Sequence, residues 1–313
     1  MPRLVFIFLD GVGIGKPLKS NPFYAAGTEF LPFYNDNNVL PDKTPIKAID
    51  PLLGIDGVPQ SATGQTSLYT GENIPAILNK HKGSFPDKIM RRFIKQKNIF
   101  SSLRNKNLKT NFLNAYPVYS RFFTNQHIRI SDDGRFFFSD EFPHIFKKRI
   151  STTSCMMISN GLTPFDEKDI INERSIYQDF TNNSLIEKGL SVPAFTSKKA
   201  AEIIYNSSKG FDFVLYEYFQ TDIYAHRHSI SDCMSLLKKL NKLIGKLITL
   251  LDKNKDTLLI TSDHGNIEDC STRTHTLNPV PLIVWGNKSD KLRNRIKSLV
   301  DVAPAIEEFF GVN

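Results

Sequence analysis

A predicted strand that ends in an Asp-His pair constrains this chain more than any other sequence feature. Leu258 to Ile260 is an apolar run, followed closely by Asp263, His264 and a glycine. Such a run predicts a buried strand, and open α/β sheets bind ligands at the carboxyl ends of their strands. A second apolar run, Pro281 to Trp285, begins soon after His275, so the loop that carries His275 is predicted to join two strands. Carboxylate and imidazole groups on one rim suit a divalent metal such as zinc or manganese.

Similar strand ends occur elsewhere in the chain. The apolar N-terminal residues lead into Asp10, and Phe211 to Phe219 leads into Asp222 and His226. A single Asp-Gly or Asp-His-Gly is equally compatible with an ordinary polar loop, but the whole set in this order predicts a metal site. Together with a hydroxyl-rich segment between the first two strands, the candidate site residues are Asp10, Ser61, Asp222, His226, Asp263, His264 and His275.

These motifs resemble those of the alkaline phosphatase superfamily, in the branch with cofactor-independent phosphoglycerate mutase and phosphopentomutase. The resemblance rests on the segments from Thr261 to Asn266 and from His275 to Ile283. It extends to the Asp10, Ser61 and Asp222 motifs, and so covers roughly residues 1–75 and 195–313. The middle of the chain matches no motif residue by residue. The whole more closely resembles short, uncharacterised metalloenzymes of the superfamily than either mutase.

The resemblance implies two divalent ions, Mn²⁺ or Zn²⁺, and a nucleophile. It implies that Asp222, His226 and His275 hold one ion, and that Asp10, Asp263 and His264 hold the other together with the Ser61 oxygen. In the family, the residue aligned with Ser61 becomes phosphorylated. Two metal ions can stabilise the attacking oxygen and the phosphoryl charge during an in-line displacement.

The role of Ser61 has alternatives within the sequence itself. If a helix begins near Thr63, Ser61 lies just before its N-terminus, where free N–H groups favour a phosphoryl group. A serine at that position also serves as a helix N-cap without any catalytic function. Thr63 is a rival nucleophile. Three further polar residues near the motifs, His228, Glu268 and Asp269, are expected to support the site or to lie on the surface rather than to bind metal.

Two departures from the mutase pattern bear on the reaction. Gln65 follows Gly64 where the mutases have histidine, and Ala225 precedes His226 where they usually have glycine. We therefore expect a two-metal enzyme that acts on a small phosphate monoester through a phosphoserine, with hydrolysis slightly favoured. A phosphomutase of the phosphoglycerate or phosphopentose type is the alternative. A catalytically silent metal-binding relative is the other class, but such a relative is expected to have lost ligands, and here all positions are filled.

The expected fold is α/β, with a mostly parallel sheet between helices and a small inserted cap. The core is predicted over residues 1–118 and 190–313, and the cap over 119–189. The aromatic and basic stretch from Tyr119 to Ile150 predicts strands joined by a turn at 132–134. Its arginines Arg121, Arg135 and Arg149 are candidates for binding a phosphate or sugar. Helices are predicted at 89–103, 151–160, 197–207, 230–251 and 297–310, and residues 17–58 are expected to be irregular.

Composition adds limits on location and partners. The three cysteines show no Cys-x-x-Cys spacing, which favours a reducing compartment. The apolar N-terminal run is short for a signal peptide, and no later run reaches the length of a membrane span. The net charge of +8 comes from scattered basic residues and accompanies no nucleic-acid module. We expect a cytoplasmic protein with a small phosphorylated substrate and no nucleic-acid or membrane partner; the oligomeric state is left open.

Overall fold

The computed structural model describes residues 3–35, 38–227 and 229–312. Within these ranges the strands are β1 (Arg3–Leu9), β2 (Ile46–Ile49), β3 (Thr110–Phe112), β4 (Ile128–Ile130), β5 (Phe136–Phe138), β6 (Phe213–Tyr218), β7 (Asp256–Thr261) and β8 (Val280–Gly286). The α-helices are α1 (Pro22–Ala26), α2 (Ser61–Thr70), α3 (Ile74–Leu78), α4 (Lys88–Gln96), α5 (Ile99–Arg104), α6 (Thr152–Ser159), α7 (Glu167–Ile171), α8 (Asn183–Glu187), α9 (Ser197–Ser208), α10 (Gln220–Arg227), α11 (Ile230–Leu250), α12 (Ser289–Arg295) and α13 (Val302–Phe309).

One six-stranded sheet, in the order β2-β8-β7-β1-β6-β3, forms the centre of the fold. Strand β1 pairs in parallel with both β6 and β7, and β3 pairs in parallel with β6. Strand β8 runs antiparallel to β7, and β2 runs antiparallel to β8. The expected mostly parallel α/β sheet is confirmed. The reversal at β8 brings the loop between β7 and β8 to the same edge as the loops that follow β1 and β6.

Both faces of the sheet are covered by helices, because β1 has apolar side chains on each face. Alternate residues of a strand point to opposite faces. One face packs into a cluster with α1, α9 and α11, and the other packs into a cluster with α2, α5, α6 and α13. The β1 side chains in the first cluster are Val5, Ile7 and Leu9, and those in the second are Leu4, Phe6 and Phe8. Each such buried side chain contributes roughly 1.5–3 kcal/mol, so this central strand is firmly held.

Several predicted helix boundaries need correction. The single helix expected over 89–103 is two helices, because Asn98 caps α5 by accepting a hydrogen bond from the Ser101 N–H. Helix α9 begins at Ser197, as predicted, and its N-cap is Thr196. Helix α2 begins at Ser61 itself, with Gln60 at the N-cap position. Ser61 is therefore the first residue of its helix rather than the residue before it.

The ends of the sheet and of the chain also differ from expectation. The segment expected to be irregular contains α1 and the edge strand β2, which is only four residues long and has no distinct sequence signal. The closing helix begins at Val302, after a 3-10 turn over Leu299–Asp301. Pro304 lies in the first turn of α13, where a missing N–H is tolerated.

The segment predicted as a cap combines its own hairpin with pieces that adjoin the core. Strands β4 and β5 pair antiparallel across the expected turn. Helix α6 contributes Cys155 and Met156 to the same hydrophobic cluster as β1. Phe165 and Ile176 form parallel bridges with residues just after β3. The boundaries 119–189 stay a prediction. None of the helices formed by the described residues has the length and apolar character that a membrane crossing requires.

Candidate metal centre

The structure brings the predicted site residues to the carboxyl edge of the central strands. One follows β1, one begins α2, two lie on α10 directly after β6, two follow β7, and one lies in the loop that leads to β8. These residues are Asp10, Ser61, Asp222, His226, Asp263, His264 and His275. Side chains that are far apart in sequence meet here because the carboxyl ends of parallel strands share one edge.

A first group consists of Asp222, His226 and His275. Asp222 and His226 are four residues apart on α10, so they share one face of that helix. Asp222 Oδ1 lies 3.4 Å from His226 Nε2 and 3.5 Å from His275 Nε2. The two Nε2 atoms are 3.2 Å apart. A carboxylate oxygen and two ring nitrogens therefore lie within 3.5 Å of one another, close enough to bind the same metal ion.

A second group surrounds His264. Its Nε2 lies 3.5 Å from Asp10 Oδ1, 3.6 Å from Asp263 Oδ2 and 2.9 Å from the hydroxyl oxygen of Ser61. One ligand atom from each of Asp10, Asp263 and His264 falls within 4.8 Å of the others. The His264 and His275 rings stack with their centroids 3.7 Å apart. The two groups are therefore neighbours.

The carboxylates of the second group are in an environment that favours a cation. Burial, followed by the nearby Asp263, Asp222 and Glu217 carboxylates, raises the pKa of Asp10 well above its ordinary value. Burial also raises the pKa of Asp263. Asp10 Oδ1 is buried and has no hydrogen-bond partner among the described residues. Buried acidic oxygens are costly unless a positive charge compensates them, so this donor set fits a divalent metal.

The histidines of the first group present Nε2 to the centre. His275 Nδ1 donates to the Pro59 carbonyl at 2.9 Å, and His226 Nδ1 donates to the Arg273 carbonyl at 2.7 Å. A ring that donates through Nδ1 keeps the Nε2 lone pair available for a metal. Burial lowers the pKa of His275 to about 4, which keeps its imidazole neutral at physiological pH.

Within the first group, Asp222 and His226 each shift the pKa of the other. When the His226 ring is protonated, its Nε2–H donates to Asp222, and this hydrogen bond raises the pKa of His226. Although burial opposes ionisation of Asp222, hydrogen bonding from His226 and the nearby His264 lower the pKa of that carboxyl overall. Asp222 is therefore a carboxylate at neutral pH, with an oxygen directed at both ring nitrogens.

Glycine is required where the loop after β1 passes the first group. Gly11 adopts a φ of +67°, in the left-handed region that side chains disfavour. A Cβ built there would lie 2.7 Å from Asp222 Oδ1. The absence of a side chain lets the Asp10 loop approach Asp222 closely.

Two amides hold the proposed ligands, and the sequence did not reveal their roles. The Asn266 amide donates to Asp222 Oδ1 at 2.7 Å and lies 3.1 Å from His226 Nε2. The Gln65 amide donates to Asp263 Oδ2 at 3.0 Å. Asn266 belongs to the motif segment that begins at Thr261, which was the available signal. Gln65 stood out only as a departure from the mutase pattern.

Glu268 occupies a supporting position and is fully buried. Its carboxylate accepts hydrogen bonds from the backbone N–H groups of Gly13 and Asn266, both at 2.8 Å, and from the Asn278 amide at 3.0 Å. The Thr276 hydroxyl is a further donor. Glu268 therefore fastens together the loop after β1, the loop after β7 and the segment next to His275. Asp269, in contrast, bonds to neighbouring Ser271, and His228 lies outside the described residues.

Thr63, the rival nucleophile, is directed away from this centre. It is fully buried, and its hydroxyl contacts the backbone carbonyls of Gln60 and Lys82 at 3.1 and 3.3 Å. Of the two hydroxyl residues, Ser61 is the one whose oxygen contacts His264.

A buried carboxyl group lies behind the centre, on β6. Glu217 accepts hydrogen bonds from the Tyr69 hydroxyl at 2.8 Å and from the Thr153 hydroxyl at 2.7 Å. Burial raises the pKa of Glu217 to about 8. This group could not be predicted from the sequence, because the residue lies within an apolar strand.

A cavity of about 840 Å³ opens over both groups, and arginines stand on its wall. Arg149, Arg227 and Arg273 line it, and the last two adjoin the motifs of His226 and His275. Arg121 and Arg135 are absent from the described residues that line the cavity: Arg121 packs over the Phe122 ring, and Arg135 pairs with Asp133 at 2.8 Å. Of the three predicted arginines, Arg149 is the one that faces the site.

Comparison with known proteins gives matches of two kinds. A family model described as the Metalloenzyme superfamily matches residues 174–313. The 2,3-bisphosphoglycerate-independent phosphoglycerate mutase of Desulforudis audaxviator is 25% identical over 126 residues, 38% of this chain and 25% of that protein. A second such mutase, from Methanosarcina barkeri, is 33% identical over 120 residues, 36% of this chain and 22% of that protein. The matched part spans about a quarter of the length of these relatives.

Solved structures share the fold over the whole chain. The alkaline phosphatase of the Antarctic bacterium TAB5 gives a TM-score of 0.56 at 14% identity, covering 100% of this chain and 99% of the other. The phosphoglycerate mutase of Leishmania mexicana gives 0.51 at 11% identity, covering 100% and 96%.

The fold is therefore like that of the alkaline phosphatase and of the phosphoglycerate mutase, and residues 174–313 are similar to the Metalloenzyme superfamily. In sequence, 38% and 36% of the chain is similar to the 2,3-bisphosphoglycerate-independent phosphoglycerate mutases of these two organisms.

Proposed function

We propose that this protein transfers the phosphoryl group of a small phosphate monoester through a phosphoserine at Ser61, and that hydrolysis is narrowly favoured over intramolecular transfer. The observation that supports it most strongly is the position of Ser61. Its hydroxyl lies 2.9 Å from His264 Nε2, at the start of α2 and on the wall of the cavity. The positive end of a helix dipole favours a phosphoryl group at that place.

The metal ligands follow from the two groups. We assign one divalent ion to Asp222, His226 and His275, and the other to Asp10, Asp263 and His264 with the Ser61 oxygen. Mn²⁺ and Zn²⁺ suit this mixture of carboxylate and imidazole donors. When bound, such ions supply a lowered pKa for the serine hydroxyl and compensation of phosphoryl charge.

The side chains of this protein would carry out the rest of the reaction. Ser61 Oγ loses its proton and forms a bond to phosphorus while the ester P–O bond breaks. The ester oxygen gains a proton and leaves as an alcohol. Water then attacks the phosphoserine, which yields inorganic phosphate and restores the Ser61 hydroxyl. Arg149, Arg227 and Arg273 stand where they can hold the substrate phosphate before the first step.

Mutase chemistry differs only in the acceptor and is the second candidate. The named relatives are phosphoglycerate mutases, which supports it, but the match covers about a quarter of their length. A mutase must retain the dephosphorylated intermediate and exclude water until the phosphoryl group returns. The Gln65 amide, bonded to Asp263, stands where the mutase motif has histidine. This departure favours water as the acceptor. A catalytically silent relative is disfavoured because the ligand set is complete.

Heavy-oxygen water separates the two reactions. Sugar phosphates and phosphoglycerates would be incubated with metal-reconstituted protein in H₂¹⁸O, with Ser61→Ala as the control. Label in released phosphate, absent with the variant, is the expected result. Positional isomers formed without label or free phosphate would establish the mutase instead. The cytoplasmic location, favoured by the sparse cysteines, remains a prediction.

A further inference from the structure

The cavity over the metal centre does not end at Arg149. A second pocket of about 220 Å³ adjoins it, and Tyr119 and Arg149 line both. The two pockets share these two side chains, and together they form a cleft that runs from the two ligand groups toward the segment that contains β4 and β5. The chemistry proposed for the centre uses the first cavity and gives the second pocket no role.

The second pocket is apolar apart from Arg149. Phe123, Ile145 and Phe146 complete its lining. Ile145 is 64% exposed, which is unusual for a large apolar side chain at a concave site. An apolar group bound there would remove this side chain from water, and this burial of apolar surface favours binding.

The wall of the second pocket is held in place by ring packing. The centroid of the Tyr119 ring lies 5.0 Å from that of the Phe123 ring and 5.3 Å from that of the Phe146 ring. The ring also stacks on Tyr116, with the centroids 5.1 Å apart. Contacts of this kind fix aromatic side chains against several neighbours. The pocket is therefore a preformed surface that needs little ordering to accept a ligand.

Charge changes along the cleft. At one end stand the proposed metal ligands and the arginines, which suit a phosphate group. At the other end, Arg149 is the one charged side chain among the described residues that line the second pocket. A molecule that fits the whole cleft therefore has an anionic group at the end near the proposed metal ligands and an apolar group at the other end.

We propose that the substrate is an amphipathic phosphate monoester, whose alcohol part carries an apolar group that occupies the pocket of Phe123, Ile145 and Phe146. This inference rests on the proposed function and adds the class of alcohol to it. Ile145 and Phe146 are specificity-determining residues, and they contact the part of the substrate remote from the phosphate. A three-carbon phosphorylated acid, by contrast, has no group to place there.

A series of n-alkyl phosphates from ethyl to hexyl phosphate tests the inference with the Mn²⁺-reconstituted protein. Each methylene buried from water is expected to raise kcat/KM about fourfold, until the pocket is filled. Ile145→Ser is expected to flatten this dependence, so that kcat/KM no longer rises with chain length. Ile171→Ser is the matched control, because Ile171 is also exposed but lines neither cavity. It should keep the wild-type dependence.

The outcomes distinguish a failure of this inference from a failure of the proposed function. Turnover of ethyl phosphate with no dependence on chain length would overturn this inference and leave the proposed function in place. A dependence that survives in Ile145→Ser would also overturn it, since the apolar group would then bind elsewhere. No turnover of any ester, with Ser61 never phosphorylated, would overturn the proposed function and the inference together.

Discussion

The hydroxyl of Ser61 lies 2.9 Å from Nε2 of His264. His264 Nδ1 is 3.3 Å from the Gly265 carbonyl, an acceptor, so Nε2 is the nitrogen free to receive the serine proton or a metal. The contact joins the first residue of α2 to the loop after β7. It links the proposed nucleophile directly to the proposed metal ligands.

The first prediction separates Ser61 from Thr63. Ser61→Ala should abolish turnover and phosphorylation while the protein still binds at least one metal ion. Thr63→Ala should keep substantial activity and lose about 1–2 kcal/mol of stability, because its buried hydroxyl contacts only backbone groups. Steady-state kinetics and mass spectrometry of trapped protein measure both effects. Phosphate recovered on Thr63 would reverse the assignment.

The second prediction concerns the number of ions. Wild-type protein should bind two divalent ions per chain, and His275→Ala should lose chiefly the ion shared with Asp222 and His226, because its Nε2 faces both. Elemental analysis after reconstitution and desalting measures the stoichiometry. As the counterpart, Asp263→Ala should lose the other ion. Less than one ion in the wild type would contradict the assignment.

The sequence predicted the sheet and the site edge because both depend on local signals. Apolar runs marked β1, β6 and β7, and a polar residue after each marked the edge. The roles of Gln65 and Glu268 could not be read in the same way, because they depend on which loops meet in space. The positions of the arginines also depend on which segments meet in space. Arg227 and Arg273 line the cavity because α10 and the loop before β8 carry them there, whereas Arg135 is turned toward its neighbour Asp133.

The third prediction tests Glu268 as the residue that positions the ligand loops. Glu268→Ala would leave the Gly13 and Asn266 N–H groups buried without an acceptor, at a cost of about 1–3 kcal/mol each. Because those loops carry proposed ligands, metal affinity should also fall about 10- to 100-fold. Competition with a chelating dye measures the affinity, and the visible spectrum of the Co²⁺ form should change.

A matched control for Glu268 lies at the opposite end of the sheet. Asp256, at the start of β7, is buried and pairs with Arg3 at 2.7 Å. Asp256→Asn should lower the free energy of unfolding but leave metal affinity and the Co²⁺ spectrum unchanged. If both variants lowered metal affinity equally, Glu268 would act only through overall stability.

The last prediction concerns Glu217 and pH. Burial raises its pKa from an ordinary value of 4.5 to about 8 in the folded protein. Between these values the folded state holds a proton that the unfolded state has released, so the free energy of unfolding falls as pH rises. The contribution of this group is therefore fully present below about pH 4.5 and is lost as pH rises through about 8. Its total size is on the order of a few kcal/mol.

Glu217→Gln removes this titration and can still bond to the Tyr69 and Thr153 hydroxyls. Urea unfolding of metal-free protein would be compared for the variant and the wild type from pH 5 to pH 8. The free energy of unfolding of the variant minus that of the wild type should increase steadily across this range. Titrations shared by both proteins cancel in the difference. A difference that stays constant with pH would mean that Glu217 does not change its protonation state in the folded protein over this range.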